Sequence, residues 1–444
     1  MHSARSVLAA VTVGLAAWAI PAAAQGPDPA RNAEPLTLQE ALRRASAANP
    51  ELRISRADTG FAQAELVGSR LRPNPSLAME YVSTGDGRVS LTQDLQLWGV
   101  RGSRIRAAEL GRERARYTAD DAARLVRRDV ARSYRDLLYQ QERIALLDSL
   151  VWVNERISRV AKAAFAQGLG SELDSRLSYT TYQQTLLDRD VAIREADVQQ
   201  VELARLLGDS LTAHYRLTDS LPNAGLRFLT ASRTDTASSR PVRFIPSEPS
   251  VDSLVRLALT SRPDLHAAEL DVQAQQASLA AARAAGEPTL AVGAIYSRSS
   301  DAVGVNGGRE VSSGENGIGV GLVLGLPFSN RNQGEVLRAQ VAGQAASLRR
   351  ASLRQALERD IRVALGRVAL ASSRIETLRQ VILPSSRAGL RVAETAFGRG
   401  QVNIFEVLQV QRTYNENTTA LLDGMRELAT AMADLEAAVG VPIQ

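Results

Sequence analysis

At 444 residues, 45% hydrophobic and 23% charged, the chain is long enough for two or three ordinary domains, and its formal net charge of +5 is spread without a concentrated basic run, which argues against nucleic acid as a partner. Cysteine is absent, excluding a disulfide framework and a thiol-linked lipid anchor, and three histidines (His2, His214, His266) form no transition-metal ligand cluster. Beyond the amino end no run of about 18 apolar residues occurs, so any passage through a membrane must be made by strands.

In chain order, His2 and Arg5 precede an apolar run from Val7 to Ile20 and the small residues Pro21-Ala22-Ala23-Ala24, which predicts an export signal over 1–24. Leu36-Thr37-Leu38-Gln39-Glu40-Ala41-Leu42 opens a helix that Asn49-Pro50 interrupts, and a second helix leads to Arg72-Pro73-Asn74-Pro75. Strands are expected at about 76–84 and 88–97, the second alternating Val89, Leu91, Gln93, Leu95 and Leu97 with polar residues. A proline-free stretch predicts a long helix over 99–164, in which Val130, Tyr134, Leu137, Ile144, Leu147 and Val151 keep coiled-coil spacing. Glycines around Gly168 reverse the chain into a helix over 171–207. Residues 209–250, richer in Ser, Thr, Asp and Pro, read as a connector.

The pattern then repeats. Asn49-Pro50-Glu51-Leu52 returns as Arg262-Pro263-Asp264-Leu265 and Pro75-Ser76-Leu77-Ala78 as Pro288-Thr289-Leu290-Ala291, each 213 positions on (50 to 263, 75 to 288). Ala164-Phe165-Ala166-Gln167-Gly168 returns as Ala396-Phe397-Gly398-Arg399-Gly400 and Leu207-Gly208 as Val439-Gly440, each 232 on (165 to 397, 208 to 440). A first repeat over 25–208 and a second over 251–440 follow, the second with strands at about 289–298 and 317–326, a loop from about Ser299 to Asn316, and helices over 330–397 and 403–439. In the last strand Ile318, Val320, Leu322, Leu324 and Leu326 share one face, and Gly317, Gly319, Gly321, Val323 and Gly325 the other. That is the length of a transmembrane β-strand, although such a strand also suits a soluble sandwich.

Four strands cannot sit in lipid as an open sheet, because edge amides would go unsatisfied. Two, three or four chains sharing one closed barrel of 8, 12 or 16 strands would remove the edges, with cyclic symmetry.

With these elements in place, the mature chain resembles the TolC-like outer-membrane efflux proteins, on the strength of the opening Leu36–Leu42 and Asn49-Pro50, the Arg72-Pro73-Asn74-Pro75 lead-in, the duplicated hairpin and coiled coil, and the two Phe-x-x-Gly reversals. The segment Gln93–Arg104 looks most like the heavy-metal efflux branch. The resemblance implies an α+β membrane protein, a homotrimer with a 12-stranded outer-membrane barrel continued by a periplasmic α-helical barrel. It also implies a periplasmic adaptor protein and an inner-membrane pump as partners, with a proton-driven pump expected and an ATP-driven exporter the alternative, outer-membrane lipid as surroundings, and no cofactor. Carried onto this sequence, the adaptor-contact tips are Phe165, Gly168, Gly170 and Ser171, and Phe397, Gly400 and Asn403; the aperture positions are Glu406 and Gln409. Gln409 departs from a doubly acidic aperture.

Enzymatic chemistry finds no support: Gly317-x-Gly319-x-Gly321 has its third glycine misplaced for a dinucleotide fingerprint, and no carboxylate pair or Ser/His/Asp set stands out. Tyr81, Trp98, Tyr296 and Phe328, near strand ends, suit an interfacial belt or ordinary packing. Two other readings remain at this point: the channel of a protein secretion system, and a coiled-coil structural protein of the envelope.

Overall fold

The computed structural model describes residues 34–81, 86–168, 170–219, 221, 248–302, 312–399 and 401–442. The expected export signal, Gly400 and most of the connector lie outside them. Short strand β1 (Glu34–Leu36) leads into α1 (Leu38–Ala48) and α2 (Pro50–Arg70), then β2 (Ser76–Tyr81), β3 (Gly87–Leu95), α3 (Val100–Ala166), α4 (Glu172–Leu207) and β4 (Tyr215–Leu217). The second half holds α5 (Glu248–Ser261), α6 (Pro263–Ala284), β5 (Thr289–Ala302), β6 (Ser312–Gly325), α7 (Gln333–Thr377), a π-helical turn at Leu378–Ile382, α8 (Leu383–Gly398) and α9 (Ile404–Val439).

One antiparallel sheet has the order β2-β3-β5-β6, and each of its strands runs into a helix: α2 into β2, β3 into α3, α6 into β5 and β6 into α7. The helices therefore keep the strand order, with α2 on α3, α3 on α6 and α6 on α7. Farther from the sheet the lateral order becomes α4, α3, α9, then α7 and α8. α3, at 67 residues, is a rod of about 100 Å. Both margins of this wall are open, β2 with α2 and α4 on one side, β6 with α7 and α8 on the other.

Three local features differ from the sequence-based expectation. Within the expected connector, β4 pairs in parallel with β1. It is fastened there because the Tyr134 hydroxyl donates to Leu36 O (3.0 Å) and to Asp219 Oδ2 (2.7 Å), while Asp219 accepts from Leu38 N. The second hairpin's ladder continues to Ala302 opposite Ser312, so the strands reach into the expected loop: backbone pairing does not require the apolar side chains that marked the strands. The helix expected over 330–397 is broken by the π turn, two residues before Pro384, whose ring and missing N–H cannot follow a regular helix. The counterpart stretch of α3 has no proline and stays helical.

The buried core lies where the short helices pack on the long pairs. Leu36, Val130, Tyr134, Leu137, Leu203 and Leu207 form it in the first half, Leu357, Ile361, Val368, Leu428, Leu435 and Val439 in the second. At each joint a left-handed glycine ends the long helix against the break between two short ones. In the first, Asn49 caps α2 by accepting from Leu52 N (3.1 Å) and donates to Leu206 O (2.7 Å). In the second, Arg262 donates to Ala438 O (3.2 Å) and pairs with Asp264 at 2.5 Å. Gly208 has φ +76, and a Cβ there would stand 2.4 Å from Ala48 O, whereas at Gly440 (φ +90) the nearest atom is Arg262 Cγ at 3.1 Å, which can yield. Gly208→Ala is therefore expected to cost about 2 kcal/mol or more and Gly440→Ala nearer 1–2, measured by urea unfolding.

Candidate functional site

The antiparallel register decides which side chains share a face, since directly opposed residues project to the same side. One face collects Leu77 and Met79, Val89 and Leu91, Leu290 and Val292, and the β6 row Ile318, Val320, Leu322 and Leu324. These apolar side chains are open to the surroundings: Ile318 is 89% exposed, Val320 80% and Leu322 70%. The opposite face carries Ser76, Ala78 and Glu80, Arg88, Ser90 and Thr92, Gly293, Ile295 and Ser297, and Gly317, Gly319 and Gly321. Here Ser76 and Thr92 share a 2.6 Å hydrogen bond, and Ile295 leans over Gly321, where a Cβ would meet its Cδ1 at 2.8 Å.

From Leu290 to Tyr296 the apolar face spans about 20 Å. Tyr81 and Tyr296 stand toward its hairpin end, Trp98 and Phe328 toward its helix end. Trp98, at φ 58, and Gly99, at φ 75, turn the chain from strand to helix, and the indole N–H donates to Pro288 O at 2.7 Å. Asn332, at φ 61, makes the matching elbow in the second half and donates to Ala282 O.

The helical wall bears a second kind of unpartnered apolar surface. α4 buries Ser178, Thr185, Ala192, Ala196, Leu203 and Leu207, its row against α3. A separate row, Leu173, Leu187, Val191, Val198 and Val201, stays exposed at steps of fourteen, four, seven and three. On the other margin Leu337, Val341, Leu348, Val363 and Leu370 make an exposed stripe along α7.

At the first helix reversal Gly168 takes φ 71 and Ser171 Oγ accepts from Leu173 N (3.2 Å), starting α4. Gly170 lies close to the end of α3, where a Cβ would be 3.1 Å from Ala164 Cβ. At the second reversal Gln401 N donates to Ala396 O (2.9 Å) and Asn403 Oδ1 accepts from Glu406 N (3.0 Å). Phe165 and Phe397 are both exposed beside these turns.

Glu406 and Gln409 are exposed on α9, one turn apart on one side. The Glu406 carboxylate has no ion pair among the described residues, whereas Glu416 is neutralised by Arg412 at 2.9 Å. As the third residue of α9, Glu406 also complements the positive helix end. Sequence reasoning missed Asp174, which is Glu406's counterpart 232 positions earlier and occupies the same third position of α4 behind Ser171. The repeat offset was the signal that could have found it.

Between the reversals and the joints, α3 and α9 are held by charge. Asp136 pairs with Arg426 (3.8 Å), Arg132 with Asp434, and the Tyr139 hydroxyl donates to Asp423 at 2.6 Å beneath the Arg426 guanidinium. Burial pushes the Asp136 carboxyl above its usual value despite Arg426 and Arg132. Among the described residues no helix is long and apolar enough to cross a membrane, and no group of three or more metal-ligating side chains is assembled.

A family model described as "Outer membrane efflux protein" matches residues 36–209 and 254–441. The cobalt-zinc-cadmium resistance protein CzcC of Cupriavidus metallidurans is 25% identical over 389 residues, covering 87% of this chain and 85% of its own. A membrane protein from Pseudomonas aeruginosa superposes with a TM-score of 0.71 at 21% identity, covering 91% of this chain and 92% of that one. The outer membrane protein VceC from Vibrio cholerae does so with a TM-score of 0.69 at 17% identity, covering 92% and 97%.

Proposed function

The chain belongs to the outer membrane efflux protein family, and from that membership we propose that three copies join their four-stranded sheets into one 12-stranded barrel continued by a common helical wall. It is an outer-membrane exit channel of an efflux system, extending into the periplasm. The observation that carries the trimer is that among the described residues β2 and β6 both lack a neighbour, on margins where α4 and α7 also expose apolar rows. Joining β6 of one copy to β2 of the next satisfies both strand edges at once, and repetition about an axis closes the ring. A barrel of about eight strands leaves little lumen, and a third copy provides one. The apolar sheet face then meets lipid and the small, polar face lines the passage. A coiled-coil spacer has no use for a sheet with one exposed face that is apolar apart from Gln93 along most of its length.

Detergent-corrected light scattering of the membrane-extracted protein tests this: a mass of three chains is expected, and a monomer stable without detergent would refute it.

The reversals at Phe165–Ser171 and Phe397–Asn403 are the contacts for a periplasmic adaptor, which couples the channel to an inner-membrane pump, proton-driven. Their exposed phenylalanines and tightly capped helix starts support that role. Glu406 rings the entrance, with Gln409 one turn behind, and the unpaired carboxylate gives the ring a cation preference. Glu406→Gln is expected to shift the reversal potential of single channels toward zero selectivity under a salt gradient; an unchanged potential would remove Glu406 from the gate. The likeness to CzcC and the segment Gln93–Arg104 support divalent metal cations as the cargo. Conduction then depends on weak, passing contacts.

A further inference from the structure

The two ends of the sheet differ in charge. Among the described residues at the hairpin end acidic ones outnumber basic ones, Glu80, Asp86 and Glu315 against Arg88 and Arg298. At the helix end the balance reverses. Arg72, Arg101, Arg104, Arg283 and Arg331 lie within about two helical turns of the last strand residues, and among the described residues none of them has a carboxylate within ion-pair distance. Arg70 and Arg106 share Glu109, and Arg338 is taken by Glu335 (2.7 Å). Glu287 and the polar-face Asp94 are the remaining acids at this level. Arg72, Arg104, Arg283 and Arg331 are exposed; Arg101 and Arg331 also donate to the backbone, at Arg70 O and Pro327 O, which fixes their place beside the strand ends.

We propose that these arginines form a collar that docks on the anionic phospholipid headgroups of the leaflet facing the helices. The inference rests on the membrane reading of the sheet. Two observations select lipid as the occupant: the collar follows directly in the chain on the strands whose apolar face the hydrocarbon covers, and it begins at the level of Trp98 and Phe328, exposed side chains suited to the headgroup boundary. The charge selects anionic over neutral lipid. Guanidinium groups chelate phosphate oxygens in pairs, and each basic residue near such a surface favours an anionic lipid about fivefold. Repeated around the ring, the collar fixes the height at which the barrel rides and resists tilting of the long helical wall beneath it.

The test uses full-length protein reconstituted in nanodiscs of phosphatidylcholine mixed with phosphatidylglycerol, with retained lipid counted per chain by mass spectrometry. The wild type is expected to enrich phosphatidylglycerol over the bulk mixture, and the combined change Arg72→Gln, Arg104→Gln and Arg283→Gln to lower that enrichment roughly tenfold or more. A control with the same charge change far from the sheet, Arg349→Gln, Arg387→Gln and Arg391→Gln, is expected to keep it, as is the version with lysine at the three collar positions. No enrichment in the wild type, or equal enrichment in the collar variant, would overturn the proposal. Failure of every version to enter the bilayer would instead sink the membrane reading, and the collar with it.

Discussion

Val320→Arg is expected to abolish assembly in the membrane, while Gly319→Arg, its neighbour on the same strand, is expected to assemble. Val320 is 80% exposed on the apolar face, and under the barrel reading its surroundings are hydrocarbon. An arginine near the middle of such a face costs about 2–4 kcal/mol per chain, and a ring meets that cost at every copy. Gly319 projects the other way, and a Cβ there meets nothing within 4 Å. Its arginine stands in the passage, where it alters conduction rather than stability. Yield of detergent-extracted oligomer and its urea resistance measure the first effect; a reversal potential moved toward anions measures the second. Equal tolerance of both substitutions would mean that the two faces see the same solvent.

Arg262→Met has the second large expected effect. Arg262 is 5% exposed, and its guanidinium pairs with Asp264 while holding the carbonyl of Ala438 at the end of α9. Removing it leaves a mostly buried carboxylate with Arg124 alone, at 3.8 Å, and frees a helix-end carbonyl, a loss of about 3 kcal/mol. Replacing both residues, Arg262→Met with Asp264→Leu, is expected to recover most of that loss, because the cost lies in a buried charge left with only the longer Arg124 pair. Circular dichroism during urea unfolding separates the two variants. The equivalent joint in the first half uses neutral Asn49, so Asn49→Ala costs less, about 1–3 kcal/mol.

The pair also sets a pH dependence. Burial raises the Asp264 carboxyl, but the Arg262 hydrogen bond and the Arg262 and Arg124 charges outweigh it, leaving the carboxyl below its ordinary 3.8. A depressed carboxylate contributes stability in full above the unfolded value and loses it as pH falls through the folded one. The second-half joint is therefore expected to hold at pH 5 and weaken below about pH 4.

Much of this architecture was legible because it rests on long, regular patterns. Alternation in Val89–Leu95 and Ile318–Leu326 marks strands whose faces differ, and proline-free heptads such as Val130, Tyr134 and Leu137 mark helices. Strands β1 and β4 were not legible, since three residues each, Glu-Pro-Leu and Tyr-Arg-Leu, are too short to show a period and are joined by a tertiary bond from Tyr134. The ladder beyond Ser299 was missed because its residues are polar, and hydrogen bonding between backbones leaves no mark on side-chain pattern. At the reversals the caps Ser171 and Asn403 were visible as residue types. The acid Asp174 was passed over because Gln409, rather than the repeat offset, drew the comparison.

The two open margins of the wall have a consequence for inheritance. In the three-copy barrel proposed above, each chain would offer β2 to one neighbour and need the β6 of another, so a chain with a spoiled β6 margin and an intact β2 margin would still enter a ring and leave it unclosed. In a cell making equal amounts of sound and spoiled chains, only about one ring of three in eight would be wholly sound. Lesions at one margin of this channel are thus expected to be dominant, and lesions that unfold the chain outright, recessive.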